Sequence, residues 1–299
     1  MARYPALLLV ALAACSPRPL AGGVSITDDW GRTVALAAPA RRVVSLSPAS
    51  TEILFALGAG PRLVGRTRYD DWPAEARAVP AVGEGIGPNV EAVAARRPDL
   101  VVLYASAANR AALSGLSALG IPVAVLKLDV SSDVVRAARR LGTLTGTADA
   151  ADSLVAAFGD SLRAVEARDA RVLRRPRLYV DVWADPPMTV GRGSYLSEVV
   201  EAAGAVNVFG DLGASAAPVS LETIVQRDPD AVLVLAPDTT RPPDLASRPG
   251  WRAVRAVREG RILVVDASLY GRPGPRMPAA AADLARRLAR LPAIVGGPQ

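Results

Sequence analysis

The stretch NVEAVAARRPDLVVL (89–103) returns as SLETIVQRDPDAVLVL (220–235). Glu91 and Glu222, Arg96 and Arg227, Pro98 and Pro229, and Asp99 and Asp230 each stand 131 positions apart, so the likeness is in register. A unit built twice constrains the fold more than any composition value: the chain must hold two similar halves. Its 299 residues agree, since roughly 150 residues per domain is the usual measure.

Hydrophobic periodicity describes what each half contains. RRVVSLSP (41–48) reads as a short buried strand, with Ser47 and Pro48 supplying the N-cap and first position of a helix that Gly58 or Gly60 stops. Then come RLVG (62–65), a polar loop with Tyr69 and Trp72, a helix from Asn89, the strand DLVVL, a helix near 108–118, and the strand PVAVL (122–126). Residues 131–171 are helical, interrupted by LGTLTG. The part from about Ala148 puts Leu154, Val155, Phe158, Leu162 and Val165 on one face over about 35 Å. The alternation then restarts with RLYVDVW (177–183), a helix at 194–205, a helix from Ser220, AVLVL (231–235), RILVVD (261–266) and a closing helix from about Ala279 to Leu291. The pattern predicts an α/β fold: two Rossmann-like lobes with mainly parallel sheets, joined by one long helix, with a ligand cleft between them. The expected divisions are 24–130, 131–171 and 172–292, with a tail at 293–299.

The first residues are an address. MARYPALLLVALAAC has one positive charge at Arg3, an apolar core and small residues before Cys15, the single cysteine, which makes 1–14 an export signal. Leu12 to Cys15 resembles the bacterial lipobox, in which cleavage leaves the cysteine to carry diacylglycerol. Residues 15–23 are then a lipidated tether, and the expected location is periplasmic or extracytoplasmic, anchored to a membrane. No interior run of 18 apolar residues predicts a membrane span. A formal charge of +6 from dispersed arginines, with 4% aromatics and no nucleic-acid motif, points to no nucleic-acid partner.

Glu91 and Glu222 take the second position of helices capped by Asn89 and Ser220. The helix dipole favours a carboxylate there by about 0.3–1 kcal/mol, a sufficient structural reason for both. Each helix also runs antiparallel into a strand, so its start lies at the strand's carboxyl end, the edge where open α/β sheets bind ligands. From spacing alone both readings stand.

ITDDWGRTVALAAPARRVVSLSPASTEILFALGAGPRLVGRTRYDDWP, followed in order by the two repeat copies, LGTLTG and PPMTVGRGSYLSEVVEAAGAVNVF, resembles the substrate-binding proteins of bacterial ABC importers for ferric siderophores, haem and cobalamin. The resemblance covers almost all of the chain after the signal; each motif is weak singly and their order is specific. It implies a monomer with two α/β lobes braced by a long helix, and a small-molecule metal chelate as ligand. It further implies a permease dimer with its ATPase subunits as partner, docked through a carboxylate on each lobe, for which Glu91 and Glu222 stand in position. YDDWP around Tyr69 and SPASTE resemble the cobalamin binders most closely.

Binding rather than catalysis is the expectation. Zero histidines remove the Ser-His-Asp triad and imidazole ligation, no phosphate-gripping glycine motif occurs, and neither catalytic nor metal-ligating residues nor a cofactor are expected. The loops at strand carboxyl ends nominate Ser47, Ala49, Tyr69, Trp72, Tyr104, Trp183, Arg192, Tyr195 and Tyr270 for ligand contact. Where cobalamin binders carry further tryptophans the match falls on Gly85 and Ala216, too small to stack, with Trp183 as the compensating aromatic. Arg66, Arg68, Arg192, Arg272 and Arg276 suit an anionic ferric siderophore equally well. Haem is the least favoured ligand, since tyrosine is the remaining conventional axial group.

Overall fold

A computed structural model describes residues 22–169 and 174–291. The export signal, Cys15 and most of the tether lie outside the described residues. A hairpin absent from the sequence reading comes first, β1 (Val24–Thr27) paired antiparallel with β2 (Thr33–Leu36). Next are β3 (Val43–Leu46), α1 (Pro48–Ala56), β4 (Leu63–Gly65), α2 (Val90–Ala94), β5 (Leu100–Tyr104), α3 (Arg110–Ala118) and β6 (Val123–Leu126). Strands β4-β3-β5-β6 form an all-parallel sheet whose apolar runs are buried on both faces. Ser47 sits at the N-cap of α1 as expected, but its side chain makes no capping bond; Pro48 opens the helix and Gly58, at φ 72°, ends it.

Helix α4 (Ser131–Thr145) runs straight through Gly142, and the chain turns at Gly146, φ 64°, rather than across the whole of LGTLTG. Helix α5 (Ala148–Asp169) follows; its 22 residues span about 33 Å. A Cβ on Gly142 would stand 2.6 Å from that of Ala151, so glycine is what lets α4 and α5 cross this closely.

The second half contains β7 (Arg177–Asp181), β8 (Trp183–Ala184), β9 (Pro187–Val190), α6 (Tyr195–Ala202), β10 (Val206–Asn207), β11 (Ala216–Pro218), α7 (Leu221–Arg227), β12 (Ala231–Ala236), α8 (Arg255–Arg258), β13 (Ile262–Asp266), α9 (Ala267–Tyr270) and α10 (Met277–Leu288). Strands β10-β7-β12-β13 repeat the first sheet's order and are all parallel. Strands β8, β9 and β11 add a small antiparallel sheet.

The tail of the sequence repeat has a structural cause. The Asp99 carboxylate accepts the backbone N–H groups of Arg41 and Arg42, and that of Asp230 accepts the N–H of Arg177, so each tethers the start of the sheet's first strand. Arg42 and Arg177 return bonds to carbonyls at the ends of α2 and α7. Arg97 and Asp228, at φ 49° and 41°, make the same left-handed exit from their helices. The aspartates of the repeat thus recur because each locks the same helix-to-strand corner in its own lobe.

One apolar core runs through both halves. It joins Val43, Leu54 and Leu100 of the first sheet's side to Leu178, Val180 and Leu233 of the second through Leu141, Phe158, Val199 and Leu284 on α4, α5, α6 and α10. The outer face of each sheet has its own smaller core, the second built around Tyr179, Phe209 and Trp251. No described helix is long and apolar enough to cross a membrane.

Candidate functional site

In each sheet the chain leaves the first strand towards one edge and returns to the other, so a crevice opens at the carboxyl ends of β3 and β5, and of β7 and β12. The two crevices face a single cavity of about 630 Å³. Leu46, Ser47 and Tyr104 reach it from the ends of β3 and β5; Val182 and Leu235 reach it from just past β7 and the end of β12. Its wall is largely apolar, with three tyrosines (Tyr69, Tyr104 and Tyr195), the composition expected of a pocket that buries the flat faces of a large ligand.

Of the residues nominated for ligand contact, Ser47, Ala49, Tyr69, Tyr104 and Tyr195 line this cavity. Tyr69 is half exposed, and its hydroxyl accepts a bond of 2.7 Å from Arg68, which also pairs with Glu84. The Tyr195 hydroxyl donates to the Tyr270 carbonyl at 2.6 Å, and Tyr104 donates to Asp129 Oδ1 at 2.6 Å. Burial, reinforced for Tyr104 by Asp129, pushes both phenols well above their ordinary range, so they serve as fixed donors.

The structure places the other four nominees away from the wall. Trp72 stacks under the guanidinium of Arg276 at 4.6 Å. Trp183 lies on the small antiparallel sheet, 63% exposed, its indole N–H turned back to the Asp185 carbonyl, and does not take the place of a missing wall aromatic. Arg192 is an exposed surface side chain. Tyr270 is 1% exposed in the core, its hydroxyl donating to Asp283. A strand-end position says which edge a residue occupies but not where its side chain turns.

Gly85 and Ala216 do line the cavity. A Cβ on Gly85 would stand 2.6 Å from the Leu46 carbonyl oxygen, so the backbone itself forms the wall there. Wall residues that the sequence reading passed over include Leu46, Glu84, Ile86, Leu128, Asp129 and Leu235. Asp129 follows β6 and Leu235 is next to last in β12, so applying the strand-end rule to every parallel strand, and not only to aromatic and basic residues, finds both.

Of the arginines nominated near the cleft, Arg272 alone lines the cavity. Arg66 is spent on the backbone carbonyls of Thr67, Ala76 and Arg77. Arg272 and Arg276 of the second lobe meet Glu52 and Asp71 of the first, and Ser268 adds a bond to Asp71. A second seam joins Tyr195 N–H to the Asp129 carbonyl and Ser131 N–H to Glu198.

Glu91 and Glu222 are both exposed at the second position of their helices. The Asn89 side chain accepts from Ala92 N–H at 2.8 Å, and the Ser220 hydroxyl accepts from Thr223 N–H at 3.2 Å. Bonds from its own N–H and from Ser220 hold the Glu222 carboxyl below its ordinary value. Buried Asn109 bonds Gly85, Gly87 and Tyr104, fixing the approach to α2 against the carboxyl end of β5. Both helices begin within a few residues of cavity wall, at Ile86 and Ala216. Among the described residues no group of three or more His, Cys, Asp or Glu is placed to hold a metal.

The family described as periplasmic binding protein matches residues 43–269. An ABC transporter substrate-binding lipoprotein of Bacillus subtilis, YvrC, whose activity is uncharacterised, is 30% identical over 89% of this chain and 85% of its own. The vitamin B12-binding protein of Pectobacterium carotovorum is 27% identical over 87% and 92%. Among solved structures, the periplasmic heme-binding protein RhuT of Roseiflexus superposes with a TM-score of 0.75 at 26% identity, covering 82% of this chain and 97% of that one. An ABC-type Fe3+-hydroxamate transport protein of Saccharomonospora viridis gives 0.72 at 26%, covering 89% and 98%.

Proposed function

The chain belongs to the periplasmic binding protein family, and from that premise we propose that it captures a corrinoid of the cobalamin type between its lobes and delivers it to the permease of an ABC importer. The observation that carries this reading is the cavity: one apolar, tyrosine-bearing hollow shared by the carboxyl edges of two equivalent parallel sheets. Ser47, Ala49, Tyr69, Tyr104 and Tyr195 are its ligand contacts in this reading. The likeness to vitamin B12-binding proteins supports the corrinoid. A ferric siderophore of the hydroxamate kind is the second reading, favoured by Gly85 and Ala216, which leave the wall without stacking tryptophans.

In the same reading the chain performs no bond chemistry. It is a monomer held outside the cytoplasm by lipid on Cys15, with lobes at 24–130 and 172–292 and a helical brace at 131–171. Glu91 and Glu222 meet cationic residues on the two permease subunits; their exposure and matched helix positions suit a contact that must form and break.

Replacing both acids tests delivery separately from capture. In the source cell, Glu91→Arg with Glu222→Arg is expected to reduce uptake of labelled cyanocobalamin to the level of a deletion strain, while the purified variant binds it as wild type does. Uptake that survives the double reversal would remove the docking role.

A further inference from the structure

Three charged residues line the cavity among those described, and each already faces an opposite charge. Glu84 meets Arg68 at 2.6 Å and Asp129 meets Lys127 at 3.5 Å. Arg272, the one cation of that wall, is held most completely. Its Nη1 lies 2.6 Å from Asp71 Oδ1 and 3.3 Å from Glu52 Oε1, and its Nη2 donates to the Tyr69 carbonyl at 2.7 Å. The nearly buried Glu52 also takes a bidentate pair of bonds from Arg276, at 2.9 and 2.6 Å. Two carboxylates thus face two guanidiniums, and the group sums to zero.

A guanidinium in a cavity wall is ordinarily the grip for a carboxylate, catecholate or phosphate, because its forked donors match paired oxygens. Here that fork is occupied from the opposite lobe. An anionic ligand reaching Arg272 has to displace Asp71, and because Glu84 and Asp129 are already balanced by Arg68 and Lys127, the apolar wall offers it no uncommitted cation in exchange for its lost hydration. An uncharged ligand meets no such penalty and gains the full apolar contact.

We infer that Asp71 and Glu52 are specificity-determining residues: by neutralising Arg272 they restrict the cavity to metal chelates without net charge, whose edges offer amides or hydroxamates. The inference rests on the capture reading above and narrows its ligand class. Uncharged corrinoids and uncharged hydroxamate chelates are admitted; polyanionic catecholate chelates, and haem with its propionates, are turned away. Burial alone would raise the Asp71 carboxyl, but the hydrogen bond and charge of Arg272 outweigh it and hold it below the usual carboxylate range, so it stays ionised at neutral pH.

The test is calorimetric titration of the soluble chain, beginning at Ser16, with three probes: cyanocobalamin, uncharged ferrichrome and trianionic ferric enterobactin. Wild type is expected to bind at least one uncharged probe, and the trianion at least about a hundredfold more weakly. Asp71→Asn, whose carboxylate is 42% exposed, frees one arm of Arg272. It is expected to gain about tenfold for ferric enterobactin while its affinity for the uncharged probe stays within about twofold. Asp71→Ser provides the same measurement if the amide disturbs folding. Wild type that binds the trianion as tightly as an uncharged probe, or an Asp71 variant that gains nothing, overturns the charge rule and leaves capture standing. Silence from all three probes in both proteins overturns capture, and the rule with it.

Discussion

Glu52 illustrates how one side chain serves both architecture and selection. Its side chain is 3% exposed and it accepts bonds from Arg272 and Arg276 across the lobe boundary. Removing one partner of a buried ion pair leaves the other charge uncompensated, which costs about 3–5 kcal/mol. Glu52→Gln is therefore expected to lower unfolding free energy by about 3 kcal/mol in urea titrations; a change under about 0.5 kcal/mol would show that the network contributes little. Asp71 belongs to the same network but reaches solvent, and its effect is read in pH. Its folded carboxyl lies below 3.8, so its stabilisation is fully present above that value and is lost as pH falls through the folded pKa. The stability difference between wild type and Asp71→Asn should hold constant from pH 7 to about 4 and disappear at more acid pH. A difference that stays constant as pH falls below 3.8, for as long as wild type remains folded, would contradict the assignment. The sequence placed Arg272 and Arg276 near the cleft but not their partners, because Glu52 and Arg272 stand 220 residues apart and no periodicity links them.

At the scale of elements, helices and parallel strands were readable where burial imposes a period, and unreadable where it does not. VVSL, LVVLY, VAVL and AVLVLA are buried runs between helices, and the repeat made the two sheets' equivalence visible before any topology was known. The hairpin β1–β2 and the sheet β8-β9-β11 escaped because their strands are two to four residues long and half exposed, too short to show a period. Directions of side chains were equally hidden: Tyr69 and Trp72 lie in one loop, yet only the tyrosine faces the cavity. Two helical glycines show where close packing decides. Gly142 in α4 has no room for a Cβ against Ala151, whereas a Cβ on Gly159 in α5 meets only the end of Arg163. Gly142→Ala is expected to destabilise by about 1–3 kcal/mol, and Gly159→Ala to stabilise by about 0.5–1 kcal/mol. Thermal melts that rank them in the reverse order would mean the α4–α5 crossing is looser than described.

For the whole molecule, the brace, the shared core and two polar seams all oppose wide opening. Helix α5 packs on α4, α6 and α10, so a large hinge motion would have to break the core that joins both sheets. X-ray scattering with and without cyanocobalamin is expected to give radii of gyration within about 1 Å of one another, the signature of a small lobe rotation; a shift of several ångströms would mean that the seams part on binding. The central claim is capture itself, in the hollow between equivalent sheet edges. Its most direct measurement is titration of cyanocobalamin into the soluble chain and into a Tyr69→Ala/Ile86→Ala variant that strips exposed wall at the cavity mouth. Saturable one-to-one binding by wild type, weakened at least about tenfold in the variant, is the predicted result. Binding indifferent to the loss of both side chains would contradict capture in this hollow, and absence of cyanocobalamin binding would contradict the corrinoid assignment.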